Sequence, residues 1–157
     1  MTDAATSGSP DQAITDERLG VFTSDAQPLS DGSVLHHSFC GSMRDPDGRE
    51  IVLMLDTTDP QEARSLLPRL YGMAENLAVL ERRAIEAIAR AFTKGTPTAD
   101  DLADARDDLS LNTIAVEDGG EIVLHFTDSC GRHFLDGYWP AVRLDRDDTV
   151  LDVTVEA

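Results

Sequence analysis

The stretch LNTIAVEDGGEIVLHFTD, residues 111–128, decides how this chain is read. Two apolar-rich arms, Asn112 to Glu117 and Glu121 to Asp128, flank Asp118-Gly119-Gly120, and an acid–glycine turn between such arms signals a hairpin. Along the second arm Ile122, Leu124 and Phe126 alternate with Val123, His125 and Thr127, the period of two that a half-buried strand requires. The pattern continues downstream. Strands over about Tyr138 to Asp145 and Thr149 to Glu156 flank the polar turn Arg146-Asp147-Asp148, with Leu151, Val153 and Val155 expected to face inward in the last one.

Upstream of this block the period changes to that of helices. Asp59-Pro60 predicts a helix start, with Asp as N-cap and Pro at the first helical position, and Pro68 predicts a break or kink near Leu67. Leu77, Leu80, Ala84, Ile88 and Ala91 recur at helical spacing through Phe92. Glu86 and Arg90 are placed as an i,i+4 pair, and Lys94-Gly95 closes this helix. Thr98-Ala99-Asp100-Asp101 is an acidic variant of the capping box, opening a short helix over Ala99 to Asp108 with Leu102, Ala105 and Leu109 inward.

Before the helices lies another hairpin. Val34 to Arg44 and Glu50 to Asp56 flank Asp45-Pro46-Asp47-Gly48, and the run Ile51 to Leu55 predicts a central strand covered on both faces. Residues 1–30 have no sustained period and read as a disordered acidic lead-in, with Leu19, Val21 and Phe22 able to pin its end; residues 31–157 read as a single α+β domain. The expected order is β-β-α-α-β-β-β-β. Strands and helices in separate blocks predict a mostly antiparallel sheet with helices packed on one face.

Composition narrows the function classes. The chain of 157 residues carries 30 acidic and 13 basic side chains, a formal net charge of −17. Such a charge disfavours nucleic acid and anionic membranes and favours a basic protein partner or a cation. Apolar runs are too short for a membrane span, the start MTDAATSGSPDQ lacks the features of a signal peptide, and two cysteines make no disulfide framework. A cytoplasmic location is expected.

Several residues invite chemistry. His37-x2-Cys40 and Cys130-x2-His133 are mirrored spacings of ligands that suit tetrahedral zinc, provided that each pair turns, since residues at odd separation on a strand point to opposite faces. Cys130 with His133 and Asp128 could form a nucleophile set, so a metal-dependent or Cys/His hydrolase using Cys40, Cys130, His37 and His133 is the alternative function. The Asp45-x-Asp47-Gly48-x-Glu50 and Asp145-x-Asp147-Asp148 stretches are read as turn chemistry rather than calcium loops. His36, Ser38 and Cys40 are expected on one strand face, and His125 opposite the Ile122–Phe126 face. Asp100, Asp101, Asp104, Asp107 and Asp108 cluster on the short helix, and Tyr138-Trp139-Pro140 is the aromatic concentration.

Residues 110–157, SLNTIAVEDGGEIVLHFTDSCGRHFLDGYWPAVRLDRDDTVLDVTVEA, resemble the C-terminal part of small bacterial domains of unknown function. The matching elements are Asp118-Gly119, Gly137 with Tyr138 and Trp139, and the hairpin from Asp145 to Val155. Some of those domains are immunity-protein-like, which implies binding to a protein partner rather than catalysis. The expectation is an acidic interaction domain with no catalysis, metal or cofactor. It would bind a basic protein through Tyr138, Trp139, Asp104, Asp107 and Asp108. An edge strand near the C-terminus could pair two copies, though the composition requires no dimer.

Overall fold

The computed structural model describes residues 13–128, 134 and 137–156, without the side chains of residues 25–27, 34, 36 and 37. Local turn chemistry organises it. In four hairpins the backbone N–H of residue i donates to the carbonyl of i+4 while the N–H of i+3 donates back to i: Leu29 with Ser33, Asp45 with Arg49, Glu117 with Glu121, and Asp145 with Thr149. The i+3 residue of such a loop has positive φ, which Gly48 and Gly120 supply without strain and Asp148 adopts at φ 64. Asp45 and Asp145 each add a carboxylate that accepts two backbone N–H groups of its own turn. Of the carboxylates read from sequence as turn chemistry, those of Asp45 and Asp145 are spent in this way.

Eight strands form one sheet whose spatial order is the order of the chain. They are β1 (Ala13–Asp16), β2 (Gly20–Pro28), β3 (Val34–Arg44), β4 (Glu50–Asp56), β5 (Leu109–Glu117), β6 (Ile122–Asp128), β7 (Trp139–Leu144) and β8 (Val150–Glu156). Every neighbouring pair is antiparallel except β4 and β5, which run parallel because three helices separate them: α1 (Pro60–Glu75), α2 (Leu77–Phe92) and α3 (Ala99–Asp108). The α+β class and the mostly antiparallel sheet agree with the sequence reading.

The N-terminal expectation is corrected. Ala13 to Pro28 forms two strands of the sheet, and Ile14 and Phe22 are fully buried in the core. No period showed there because β1 is four residues long and alternates with Thr and Asp. Residues 1–12 lie outside the described residues.

The helices hold one face of the sheet. Leu66, Leu67, Leu70 and Met73 of α1 and Leu80, Ile85 and Ile88 of α2 join Ile51, Leu53, Leu55, Ile114, Leu124 and Phe126 in one core. Pro68 does not break α1. It sits on the exposed side, where a freed carbonyl can be hydrated, while the flanking leucines are buried; the break falls at Asn76. On α2 the buried set is Ala84, Ile85, Ile88 and Ala89, and Ala91 is exposed. Glu86 reaches Arg106 of α3 at 2.8 Å instead of pairing with Arg90. In α3 the capping box forms: Thr98 Oγ1 accepts from Asp101 N at 3.1 Å and Asp101 Oδ2 accepts from Thr98 N at 2.8 Å. At the far end of the sheet Arg69 of α1 donates to the carbonyls of Gly120 and Asp145 and pairs with Asp148, tying two hairpin turns together.

Candidate protein-binding face

No helix among the described residues covers the other face of the sheet. Pairing fixes which side chains stand on it, because directly opposed residues share a face. One row runs Thr23, Cys40, Met54, Ala115, Val123, Arg143, Asp152 across seven strands. The adjacent row includes Val52, Thr113, His125, Ala141 and Thr154. The expectation that β4 is covered on both faces is therefore corrected: Val52 and Met54 remain half-buried on the open side. Ala115, Val123 and Ala141 are nevertheless buried, with Met54 packed against them. Small residues in the middle of a sheet are shielded by the longer side chains around them, which leaves a shallow apolar floor with a taller rim.

Trp139 opens β7 directly opposite Glu156, and His125 Nδ1 lies 3.3 Å from Glu156 Oε2. These three, with Met54, Asn112 and Thr113, line a groove of about 380 Å³. Trp139 is 37% exposed and the adjoining Tyr138 49% exposed. The β6–β7 ladder starts at Ala141, one residue past Pro140, which has no N–H to contribute. The aromatic pair thus stands where β7 leaves its inner neighbour.

At the opposite end of the same face Arg143 Nη1 is 2.5 Å from Glu117 Oε2 and 3.1 Å from Glu121 Oε2. The hydrogen bond to Glu117 raises the Arg143 pKa further above its usual value, against desolvation. Asp56 pairs with Glu117 and Asp152 with Arg143, so one arginine stands among four carboxylates. The alternate positions of β5 and β6 pointed to this side, but no short motif marked it, because the partners come from three different strands.

The expected site residues separate. Tyr138 and Trp139 are together and exposed. Asp104 and Asp107 are exposed on α3, in the helical layer and away from this face. Asp108 is corrected: at 9% exposure it is buried where α3 passes into β5, so it is no part of a partner surface. Asp104 instead borders a separate cleft of about 170 Å³ between α2 and α3. The acids beside the aromatic pair are those of the sheet.

Of the alternative Cys/His set only the Cys40 side chain is described. It is a free, half-buried thiol 3.6 Å from Ser38 Oγ, between Thr23 and Met54. Cys130, His133 and the side chain of His37 lie outside the described residues. Between Ser38 and His36 the β2–β3 register slips by one residue, and the side chain of His36 lies outside those described. Among the described residues no three His, Cys, Asp or Glu side chains are grouped to hold a metal ion, and no helix is long and apolar enough to cross a membrane. Comparison of the chain with known protein families, curated proteins and solved structures finds no match.

Proposed function

We propose that this chain is a non-catalytic protein-binding domain that takes a basic partner on the helix-free face of its sheet. The observation that carries the reading is an open eight-stranded face with an exposed tryptophan at one end and unbalanced carboxylates along it. Pairing places Glu50, Asp56, Glu117, Glu121, Asp152 and Glu156 on this side against Arg44 and Arg143. A cationic surface is attracted to it and an anionic one is repelled.

Size supports the same reading. Seven inter-strand spacings at about 4.8 Å and strands of roughly 20 Å give an area on the order of 700 Å². That is near the roughly 800 Å² each partner contributes to a standard interface. Trp and Tyr are the residues that most often anchor such contacts.

Trp139 is the single tryptophan of the chain, so tryptophan emission, excited selectively over the two tyrosines, reports this face alone. The test is a titration with a synthetic arginine- and leucine-rich peptide as the basic probe. Saturable change in Trp139 emission, weakened by salt and by Glu117→Lys with Glu121→Lys, is the expected outcome. Emission indifferent to the peptide, or binding unaffected by both substitutions, would refute the reading.

A further inference from the structure

The two edges of the sheet differ in kind. β1 at one edge is four residues long, and the turn that follows it is tied down: Tyr71 of α1 donates its hydroxyl to Asp16, and the Arg18 guanidinium stacks over the Tyr71 ring at 4.3 Å. β8 at the other edge has seven residues, VLDVTVE, with no proline, lysine or arginine. No described strand pairs with its outer side. Leu151 on it is 51% exposed, and Val155 is also exposed. The register shift at Leu151 and the acids Asp152 and Glu156 are its guards, but neither proline nor lysine interrupts the run past the shift, and apolar side chains stand exposed along it.

We propose that β8 pairs antiparallel with β8 of a second copy about a two-fold axis at Val153, joining two sheets into one. A two-fold axis perpendicular to the sheet keeps the helices of both copies on the same side, and residue parity then allows only three central registers. An axis at Asp152 sets two aspartates face to face. An axis at Thr154 sets Asp152 against the partner's Glu156. An axis at Val153 sets Val153 against the partner's Val153, Leu151 against the partner's Val155 and Asp152 against the partner's Thr154. Only this last register matches apolar with apolar and opposes no two carboxylates.

The helical layer fits the same axis. α2 packs over both β7 and β8, so with strands about 4.8 Å apart its axis lies roughly 5 Å from the dyad. Two copies of α2 then stand about 10 Å apart, at the upper end of the usual 8–10 Å helix packing distance. Between α2 and β8 lies an open groove of about 580 Å³ lined by Arg83, Glu86, Ala87, Arg90, Leu151 and Val153 among others, and the partner's α2 closes it.

Charge argues for a second copy at this place and against one elsewhere. α2 carries Arg82, Arg83 and Arg90 against Glu81 and Glu86, that is 3 − 2 = +1, within a chain of −17. On β8 itself Glu156 sits beside His125 and Asp152 opposite Arg143. Two strongly acidic copies meet here with the least repulsion.

Sedimentation equilibrium over a wide concentration series tests the proposal. The native chain is expected at twice the chain mass, and Leu151→Lys, an exposed position, at the chain mass. Thr154→Lys, set opposite the partner's Asp152, tightens the dimer, whereas Thr154→Asp weakens it by about tenfold because the contact occurs twice. A native chain that is monomeric throughout the series overturns the proposal. So does a pair of Thr154 variants that shift the equilibrium in the same direction. The helix-free face stays open in such a dimer, so Leu151→Lys leaves the Trp139 fluorescence response to the basic peptide intact.

Discussion

Asp45 and Gly41 show how single residues carry this fold. Asp45 was legible as a turn residue, but not as a buried one, because its burial comes from α2 through Arg49. Arg49 bridges Asp45 at 2.6 Å and Glu81 of α2 at 3.0 Å. Burial pushes the Asp45 carboxyl up, yet the hydrogen bonds and charge of Arg49 outweigh it and hold its pKa below the usual value. A carboxylate with a depressed folded pKa contributes stability that is present above its unfolded value near 4 and is lost as pH falls through the folded value. Asp45→Asn is expected to cost about 2 kcal/mol at neutral pH and to flatten the loss of stability on acidification, as read by urea denaturation at several pH values. An unchanged acid limb would remove Asp45 from the account. At Gly41 an added Cβ would lie 3.0 Å from Phe22 Cδ1 and 3.1 Å from the Val21 carbonyl. Phe22 is fully buried and cannot swing away, so Gly41→Ala is expected to destabilise by about 1–3 kcal/mol in the same assay. A neutral result would mean that β2 and β3 part more easily than this packing allows.

At the scale of elements, those with strong local signals were legible nearly to the residue. Thr98 with Asp101 marked the start of α3, and the Asp45–Gly48 turn marked β3 and β4, because cap and turn chemistry is set by neighbours in sequence. Thr98→Ala is accordingly expected to cost about 1 kcal/mol and to raise amide exchange in the first turn of α3, and unchanged exchange there would show that the cap is idle. Where tertiary packing decides, sequence was a poorer guide. α1 continues through Pro68 since Leu66, Leu67 and Leu70 are held by the core, and β1 exists because Ile14 finds that core from far away in the chain. In β8 a register shift opposite Arg143 and Leu144 turns Val150 inward and leaves Leu151 exposed, against the expected alternation. The β1–β2 hairpin rests partly on the Tyr71 hydrogen bond to Asp16, which lowers the Asp16 pKa and raises that of Tyr71. Tyr71→Phe should speed amide exchange at Ile14 and Phe22 without affecting β6, as followed by mass spectrometry; equal exchange would show that the core alone holds the hairpin.

Across the whole molecule, charge and layering divide the labour. Residues 60–92, spanning α1 and α2, carry five arginines against four glutamates, so the negative charge lies on the strands, the turns and α3. The sequence revealed the sign of the surface and the aromatic pair, but could not reveal that one sheet face is uncovered or that Glu117, Glu121 and Arg143 meet on it. Those facts depend on the parallel pairing of β4 with β5 across the helical connection, which no local pattern encodes. For the same reason the α3 aspartates looked like companions of Trp139 when they belong to the other layer.

The most direct measurement is an amide chemical-shift map of the isotopically labelled chain during titration with the arginine- and leucine-rich peptide. The account predicts perturbations at Thr113, Ala115, Val123, His125, Trp139 and Ala141 that saturate together and shrink as salt is raised. Perturbations confined to Asp104 and Asp107 on α3, with the sheet silent, would contradict it.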